Sequence, residues 1–105
     1  MEEKNPKEIH KDITLIEAQA LIAQGNVIIL DIRTPEEYHQ QHLPHALHID
    51  FYNPDFTNRI NRLDKQKTYV VHCRSGGRST KATQLMQQLG FQFVYNVKDY
   101  MFGEN

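Results

Sequence analysis

The chain has a single cysteine, Cys73, and it stands in the segment that is best equipped for chemistry. It follows the apolar run TYVVH, residues 68–72, and precedes the loop RSGGR, residues 74–78. Glycines permit the positive φ angles that turn backbone amides toward one point, and a helix N-terminus adds further amides and a positive dipole end. Together with two arginines, this setting favours the thiolate, which is the nucleophilic form of cysteine. The pattern predicts a nucleophile that handles an anion.

Charge is distributed unevenly along the chain, although its formal net value is only -1. Residues 65–81 hold five basic side chains and no acidic one, namely Lys65, Lys67, Arg74, Arg78 and Lys81. We therefore expect any bound anion in this segment. The nearly neutral total argues against a binder of nucleic acid or of anionic membranes.

Capping patterns and apolar runs predict the elements that position the loop. A Thr-x-x-Glu pattern at 14–17 predicts a helix that ends at Gly25. The same pattern at 34–37, with a proline inside it, predicts a short helix that ends before Pro44. The other predicted elements are strands at 27–32, 46–49, 68–72 and 91–94 and helices at 55–63 and 79–89.

The predicted strands and helices alternate, and strands 27–32 and 68–72 are almost wholly apolar. This arrangement is typical of an α/β domain whose mostly parallel sheet is covered by helices on both faces. Ligands bind such sheets outside the carboxyl ends of the strands. Asp31, Arg33 and Cys73 all follow strand ends of this kind, so we expect them at the same edge of the sheet.

Length and composition predict one domain over residues 1–105, with a polar, loose leader over 1–11 and a frayed tail over 98–105. No wholly apolar run is longer than that at 27–30, which is far short of a membrane span. A polar N-terminus without a secretory signal and a lone cysteine predict a cytoplasmic protein.

Several segments together resemble single-domain rhodaneses, in their order and spacing. They are VIILDIRTPEEY at 27–38, HLPHA at 42–46, the Cys73 loop and LGF at 89–91. The resemblance covers nearly the whole chain, from Ile13 to about Val97. It implies a rhodanese-like α/β fold, with a central, mostly parallel, five-stranded sheet flanked by helices on both faces. It also implies a sulfurtransferase that uses thiosulfate or a persulfide.

The resemblance assigns roles to individual residues. Cys73 is the catalytic nucleophile, which takes a sulfane sulfur from a small anionic donor and passes it as a persulfide to a thiol or cyanide. A protein thiol is a further candidate acceptor, and no cofactor or metal is implied. Substrate binding is assigned to Arg74, Ser75, Gly76, Gly77 and Arg78. Support of the loop is assigned to Asp31, Arg33 and Ser79.

Two other functions are compatible with the pattern. One is a non-catalytic binding module with the same fold, although an inactive copy has little reason to keep Cys73, Arg74 and Arg78. The other is a cysteine-dependent phosphatase or arsenate reductase. Those enzymes place one more residue between cysteine and arginine than the four residues, 74–77, found here. The shorter loop favours sulfur chemistry.

Other polar residues are interpreted as structural. Glu37 is expected to cap its helix or to pair with Arg33, since attack on sulfane sulfur needs no strong base. His72 is expected to pack within the sheet. Histidines recur every third residue, at 39, 42, 45 and 48, but Pro44 interrupts any helix through them, so no metal site is predicted.

The chain departs from the family pattern in two regions. Gln41 and His45 replace glycines that usually flank the turn at 42–46, which predicts a differently shaped turn. The ending lacks the usual glycine pair and tryptophan. Tyr100 or Phe102 is the candidate for an aromatic wall in their place, with a frayed tail as the alternative.

Overall fold

Five parallel strands form one sheet in the computed structural model of the chain, which describes residues 8–102. The strand order is β1-β5-β4-β2-β3, which confirms the predicted α/β fold. The strands are β1 (Ile9–Ile13), β2 (Ile28–Asp31), β3 (Leu47–His48), β4 (Thr68–His72) and β5 (Phe93–Val97). The helices are α1 (Leu15–Gln24), α2 (Pro35–Gln40), α3 (Phe56–Asn61) and α4 (Gly77–Gln88).

Strand β4 lies at the centre of the sheet, and its alternating side chains enter two separate cores. Tyr69 and Val71 pack in one core with side chains from α3 and α4, such as Ile60 and Met86. Val70 packs in the other with side chains from α1 and the C-terminal segment. Burial on both faces explains why the central residues 69–71 of the strand are all apolar, since each fully buried aliphatic side chain contributes about 1.5–3 kcal/mol.

Helices α1 and α2 begin at the capping residues that the sequence predicts. Thr14 and Thr34 each form a complete capping box with the glutamate three residues later. Gly25, with φ of 84°, ends α1. None of the helices within residues 8–102 is long and apolar enough to cross a membrane.

Helix α4 and strand β5 have other bounds than the sequence predicts. Helix α4 begins at Gly77 rather than at Ser79. Phe91 was expected in the last strand, but its amide donates to the carbonyl of Met86 and so belongs to the turn that closes α4. Strand β5 begins only at Phe93.

Both ends of the described chain are better ordered than predicted. Ile9–Ile13 forms edge strand β1 along β5, although only its first and last residues are apolar and the predicted loose leader includes its residues 9–11. The predicted frayed tail is packed over its first five residues, because Asp99 accepts from the Leu15 amide at 2.9 Å and Met101 is buried. Residues 1–7 and 103–105 of the two predicted segments lie outside the described residues.

Candidate active site

Cys73 follows the central strand and receives two backbone amides on its sulfur. The amides of Gly76 and Ser79 donate to Sγ at 3.2 and 3.3 Å. Ser79 lies in the first turn of α4, so the sulfur also faces the positive end of that helix. This is an anion cradle of backbone amides, as the loop sequence predicts. Cys73 as a residue has no exposed surface.

Only one of the two loop glycines is required by its backbone conformation. Gly76 has φ of 88°, and a Cβ there would lie 3.0 Å from the carbonyl oxygen of Lys98. Gly77 lies in the helix, where a Cβ would approach nothing closer than the Ser75 hydroxyl at 3.9 Å. The expectation of a positive φ holds for Gly76 and is wrong for Gly77.

The carbonyl of Gly76 is held by three donors. The Thr80 amide donates at 3.0 Å and the Thr80 hydroxyl at 2.6 Å, and the Ser79 hydroxyl at 3.3 Å. The buried side chain of Asn96 in turn donates to the Thr80 hydroxyl at 3.0 Å. Because a trans peptide is planar, the Gly77 N–H points opposite to this carbonyl, out of the N-terminal end of α4. The sequence does not predict the contact between Thr80 and Asn96, because 16 residues separate them.

Arg78 is committed to an ion pair within the protein. Its guanidinium donates to both carboxylate oxygens of Glu37, at 3.0 and 3.3 Å. These bonds, opposed in part by burial and aided by the Thr34 amide, lower the pKa of Glu37 to about 2. Glu37 does cap its helix, but it pairs with Arg78 and not with Arg33, because α2 and α4 begin at the same edge of the sheet.

Arg74 and Ser75 are both exposed at the rim of the site. The Arg74 guanidinium lies 4.7 Å from the centre of the Tyr100 ring, a cation–π geometry. Ser75 lines an open cleft of about 460 Å³ beside the loop. The other lining residues are Phe51, Tyr52, Gly77, Arg78 and Lys81.

Asp31 and Arg33 form a buried ion pair at this edge of the sheet. Arg33 donates to the two carboxylate oxygens at 2.9 and 2.7 Å. Its guanidinium also donates to the Tyr100 hydroxyl at 3.5 Å, and the Asp31 carboxylate lies 3.8 Å from His72 Nε2. The ion pair is therefore connected to the Cys73 loop indirectly. Asp31 lies beside His72, which precedes Cys73, and Arg33 contacts Tyr100, whose ring lies under Arg74.

The family model for the rhodanese-like domain matches residues 14–101. The chain belongs to the rhodanese-like domain family. It is 36% identical to a thiosulfate sulfurtransferase GlpE of Pseudomonas syringae pv. syringae, over 77% of this chain and 74% of the relative. It is 28% identical to the GlpE of Coxiella burnetii, over 85% and 81%. A rhodanese-like domain protein from Staphylococcus aureus has the same fold, with a TM-score of 0.76, 28% identity and 88% of each chain covered.

In this rhodanese-like domain, both aromatic candidates at the C-terminus contact the site. Tyr100 lies under Arg74, and Phe102 lies under Arg33, whose guanidinium is 4.7 Å from the ring centre. The two rings contact each other edge to face, with centroids 5.6 Å apart. Both candidates for the aromatic wall thus lie against arginines of the site, but neither is among the residues that line the cleft.

His72 is buried beside the nucleophile, and neither ring nitrogen has a hydrogen-bond partner within residues 8–102. Burial lowers the pKa of His72 to about 4, and the Asp31 carboxylate offsets part of that effect. The ring packs edge to face against Phe102, with centroids 6.0 Å apart. His72 is thus a neutral, packed side chain at pH 7, as the sequence predicts.

The histidines at 39, 42, 45 and 48 do not converge on one point. The Tyr38 ring is stacked between His42 and His48, at centroid distances of 3.9 and 4.3 Å. Within residues 8–102, no three side chains of the metal-binding types lie close enough to hold an ion together. His45 has φ of 66°, a conformation that suits the glycine usual at this turn.

Proposed function

We propose that this protein is a sulfurtransferase that carries a sulfane sulfur on Cys73 as a persulfide. The donor is a small anion such as thiosulfate, or a persulfide, and the acceptor is a thiol, with cyanide as a laboratory substitute. A protein thiol is a further acceptor of the same chemical class. The proposal is supported by the names of the relatives, which are thiosulfate sulfurtransferases.

The observation that carries the proposal is the pair of amides on Cys73 Sγ. Two N–H donors and a helix N-terminus stabilise a negative charge on this sulfur, whether it belongs to the thiolate or to the persulfide formed from it. A non-catalytic binding module would have no need to aim these donors at a buried sulfur.

The transfer consists of two displacements at sulfur. The Cys73 thiolate attacks the outer sulfur of thiosulfate, a new S–S bond forms, and sulfite leaves with the electrons of the broken S–S bond. An acceptor thiolate then attacks the outer sulfur of the Cys73 persulfide, and the Cys73 thiolate leaves in turn. No external oxidant or reductant is needed, and the two half-reactions predict ping-pong kinetics.

Intact mass spectrometry tests the proposal directly. Incubation with thiosulfate should add the mass of one sulfur atom, and dithiothreitol should remove it. Cys73→Ser should show no added mass while it keeps the circular dichroism spectrum of the wild type. A wild type that takes up no sulfur from thiosulfate or from glutathione persulfide would favour the binding module instead.

A further inference from the structure

Three cationic side chains lie near the Cys73 loop, and they differ in the protein groups that they contact. Arg78 is paired with Glu37, and Arg74 lies over the Tyr100 ring. The exposed ammonium of Lys81 makes no hydrogen bond or ion pair within the described residues. Within residues 8–102 neither Arg74 nor Lys81 has a carboxylate partner, and of these two cations only Lys81 lines the open cleft.

Lys81 lies on the helix face that borders the open cleft. It comes three residues after Arg78 and four after Gly77, so the three residues share one side of α4. All three line the cleft of about 460 Å³, together with Ser75 and the 65% exposed ring of Tyr52. A cleft of this size is in the range of about 300–1,000 Å³ that suits organic ligands, and it is much larger than thiosulfate requires.

We propose that Lys81 binds the carboxylate of a small organic thiol or persulfide whose body lies in the cleft against Tyr52. This inference rests on the proposed function and names its substrate class. Lys81 then makes the enzyme prefer anionic substrates to neutral ones of the same size. In the transfer itself, the substrate thiolate attacks the outer sulfur of the Cys73 persulfide and the Cys73 thiolate leaves with the bonding electrons, while Lys81 only orients the substrate.

Alkylation of the only cysteine tests the charge preference without any need for turnover. Iodoacetate carries a carboxylate and iodoacetamide does not, so the ratio of their rates with Cys73 reports on the anion-binding group. Burial of Cys73 slows both reagents, and that effect cancels in the ratio. Lys81→Gln should lower the ratio about threefold, the effect of one exposed charge a few ångströms away in water. High salt should reduce the difference.

Matched variants distinguish an effect of Lys81 itself from an effect of the protein's net charge. Lys81→Arg should keep the wild-type ratio. Lys67→Gln changes the net charge by the same amount. Lys67 is exposed and precedes β4, so it lies at the opposite end of that strand from Cys73. The ratio of the two alkylation rates should therefore be the same in Lys67→Gln as in the wild type. An equal ratio in wild type and Lys81→Gln would overturn the proposal. An equal fall in Lys67→Gln would also overturn it.

A second measurement uses the sulfur-loaded enzyme and acceptors that differ in charge. Lys81→Gln should raise the KM of mercaptopropionate about threefold and leave that of mercaptoethanol unchanged. Lys81→Glu should favour the cationic acceptor cysteamine over mercaptopropionate. If Cys73 takes up no sulfur, the proposed function fails, and the alkylation ratio still decides the role of Lys81.

Discussion

Arg78 in the first turn of α4 and Glu37 in the first turn of α2 form a bidentate ion pair, although 41 residues separate them. The pair ties together the helices that follow β2 and β4. It therefore holds the Cys73 loop against its neighbour at the carboxyl edge of the sheet. Since part of the Arg78 charge is offset by Glu37, we expect the loop amides, Arg74 and Lys81 to contribute more than Arg78 to the binding of an anion.

Glu37→Gln removes the charge of this pair and keeps an oxygen that can accept from the Thr34 amide. We expect the variant to be less stable at pH 7 by about 0.5–1 kcal/mol, after allowance for solvent screening of a part-exposed pair. The pKa of Glu37 in the fold is about 2, below its ordinary 4.5. The contribution of the pair is therefore complete above about pH 5 and is lost as the pH falls toward 2.

Urea unfolding of wild type and Glu37→Gln at several pH values checks this dependence. The difference between the two free energies of unfolding should shrink from pH 5 downward. Glu36→Gln is the matched control, since Glu36 is exposed beside Glu37 and has no part in the pair. A constant difference between pH 5 and 3 would contradict the ion pair as its source.

His72→Leu tests the buried neutral imidazole in a different pH window. The pKa of His72 falls from 6.5 to about 4 in the fold, so the unfolded chain binds a proton that the folded chain does not. Wild-type stability should decline as the pH falls from 6.5 to 4, by about 3 kcal/mol at most. The decline should be smaller in His72→Leu, as measured by urea unfolding at pH 7, 6, 5 and 4. Parallel pH profiles for the two proteins would show that His72 is not buried in its neutral form.

Local patterns made most of the fold predictable. Thr14 and Thr34 each predict a helix, because a capping box involves only residues within one turn. The apolar residues of β4 predict a strand that is covered on both faces. Edge strand β1 was missed because IHKDI has no strong pattern of its own. Its stability comes from the ladder with β5, a partner more than 80 residues away that no local pattern reveals.

The same distinction holds within the site. The loop residues 73–79 are contiguous, so their amide cradle could be predicted from sequence. The partner of Glu37 could not, because Arg33 and Arg78 are both plausible until the sheet order brings α2 and α4 together. The contact between Thr80 and Asn96 is unpredictable for the same reason. No local pattern indicates which distant side chain donates to a threonine hydroxyl on a helix.

Gly76→Ala and Gly77→Ala form a matched pair for the shape of the loop. Gly76→Ala should destabilise the protein by about 1–3 kcal/mol and sharply reduce sulfur transfer, because φ is positive there and Lys98 blocks the new Cβ. Gly77→Ala should leave stability unchanged or raise it by up to about 1 kcal/mol, since alanine suits a helical position. Thermal unfolding and cyanide-dependent sulfur transfer measure both effects. Equal effects of the two substitutions would contradict the backbone assigned to Gly76.

Insertion of one glycine after Gly76 tests whether loop length selects sulfur over phosphate. In the wild type the amides of Gly76 and Ser79 both donate to Cys73 Sγ, at 3.2 and 3.3 Å. The inserted residue would move these two amides apart. We expect sulfur transfer to fall at least about tenfold, the effect of about 1.4 kcal/mol lost from the transition state. The matched control is the same insertion after Gly25, where nothing lies within 4 Å of an added Cβ.

The unmodified protein should hydrolyse no aryl phosphate, because the short loop offers one sulfur atom two converging amides rather than a ring for three phosphate oxygens. Sulfur transfer, aryl phosphate hydrolysis and arsenate turnover are assayed on the wild type, on the variant with a glycine inserted after Gly76 and on the control with a glycine inserted after Gly25. The ratio of these activities measures the selectivity. Phosphatase turnover by the wild type that disappears in Cys73→Ser would overturn the assignment to sulfur. Undiminished sulfur transfer after insertion at Gly76 would show that the residue count between Cys73 and Arg78 does not select the substrate.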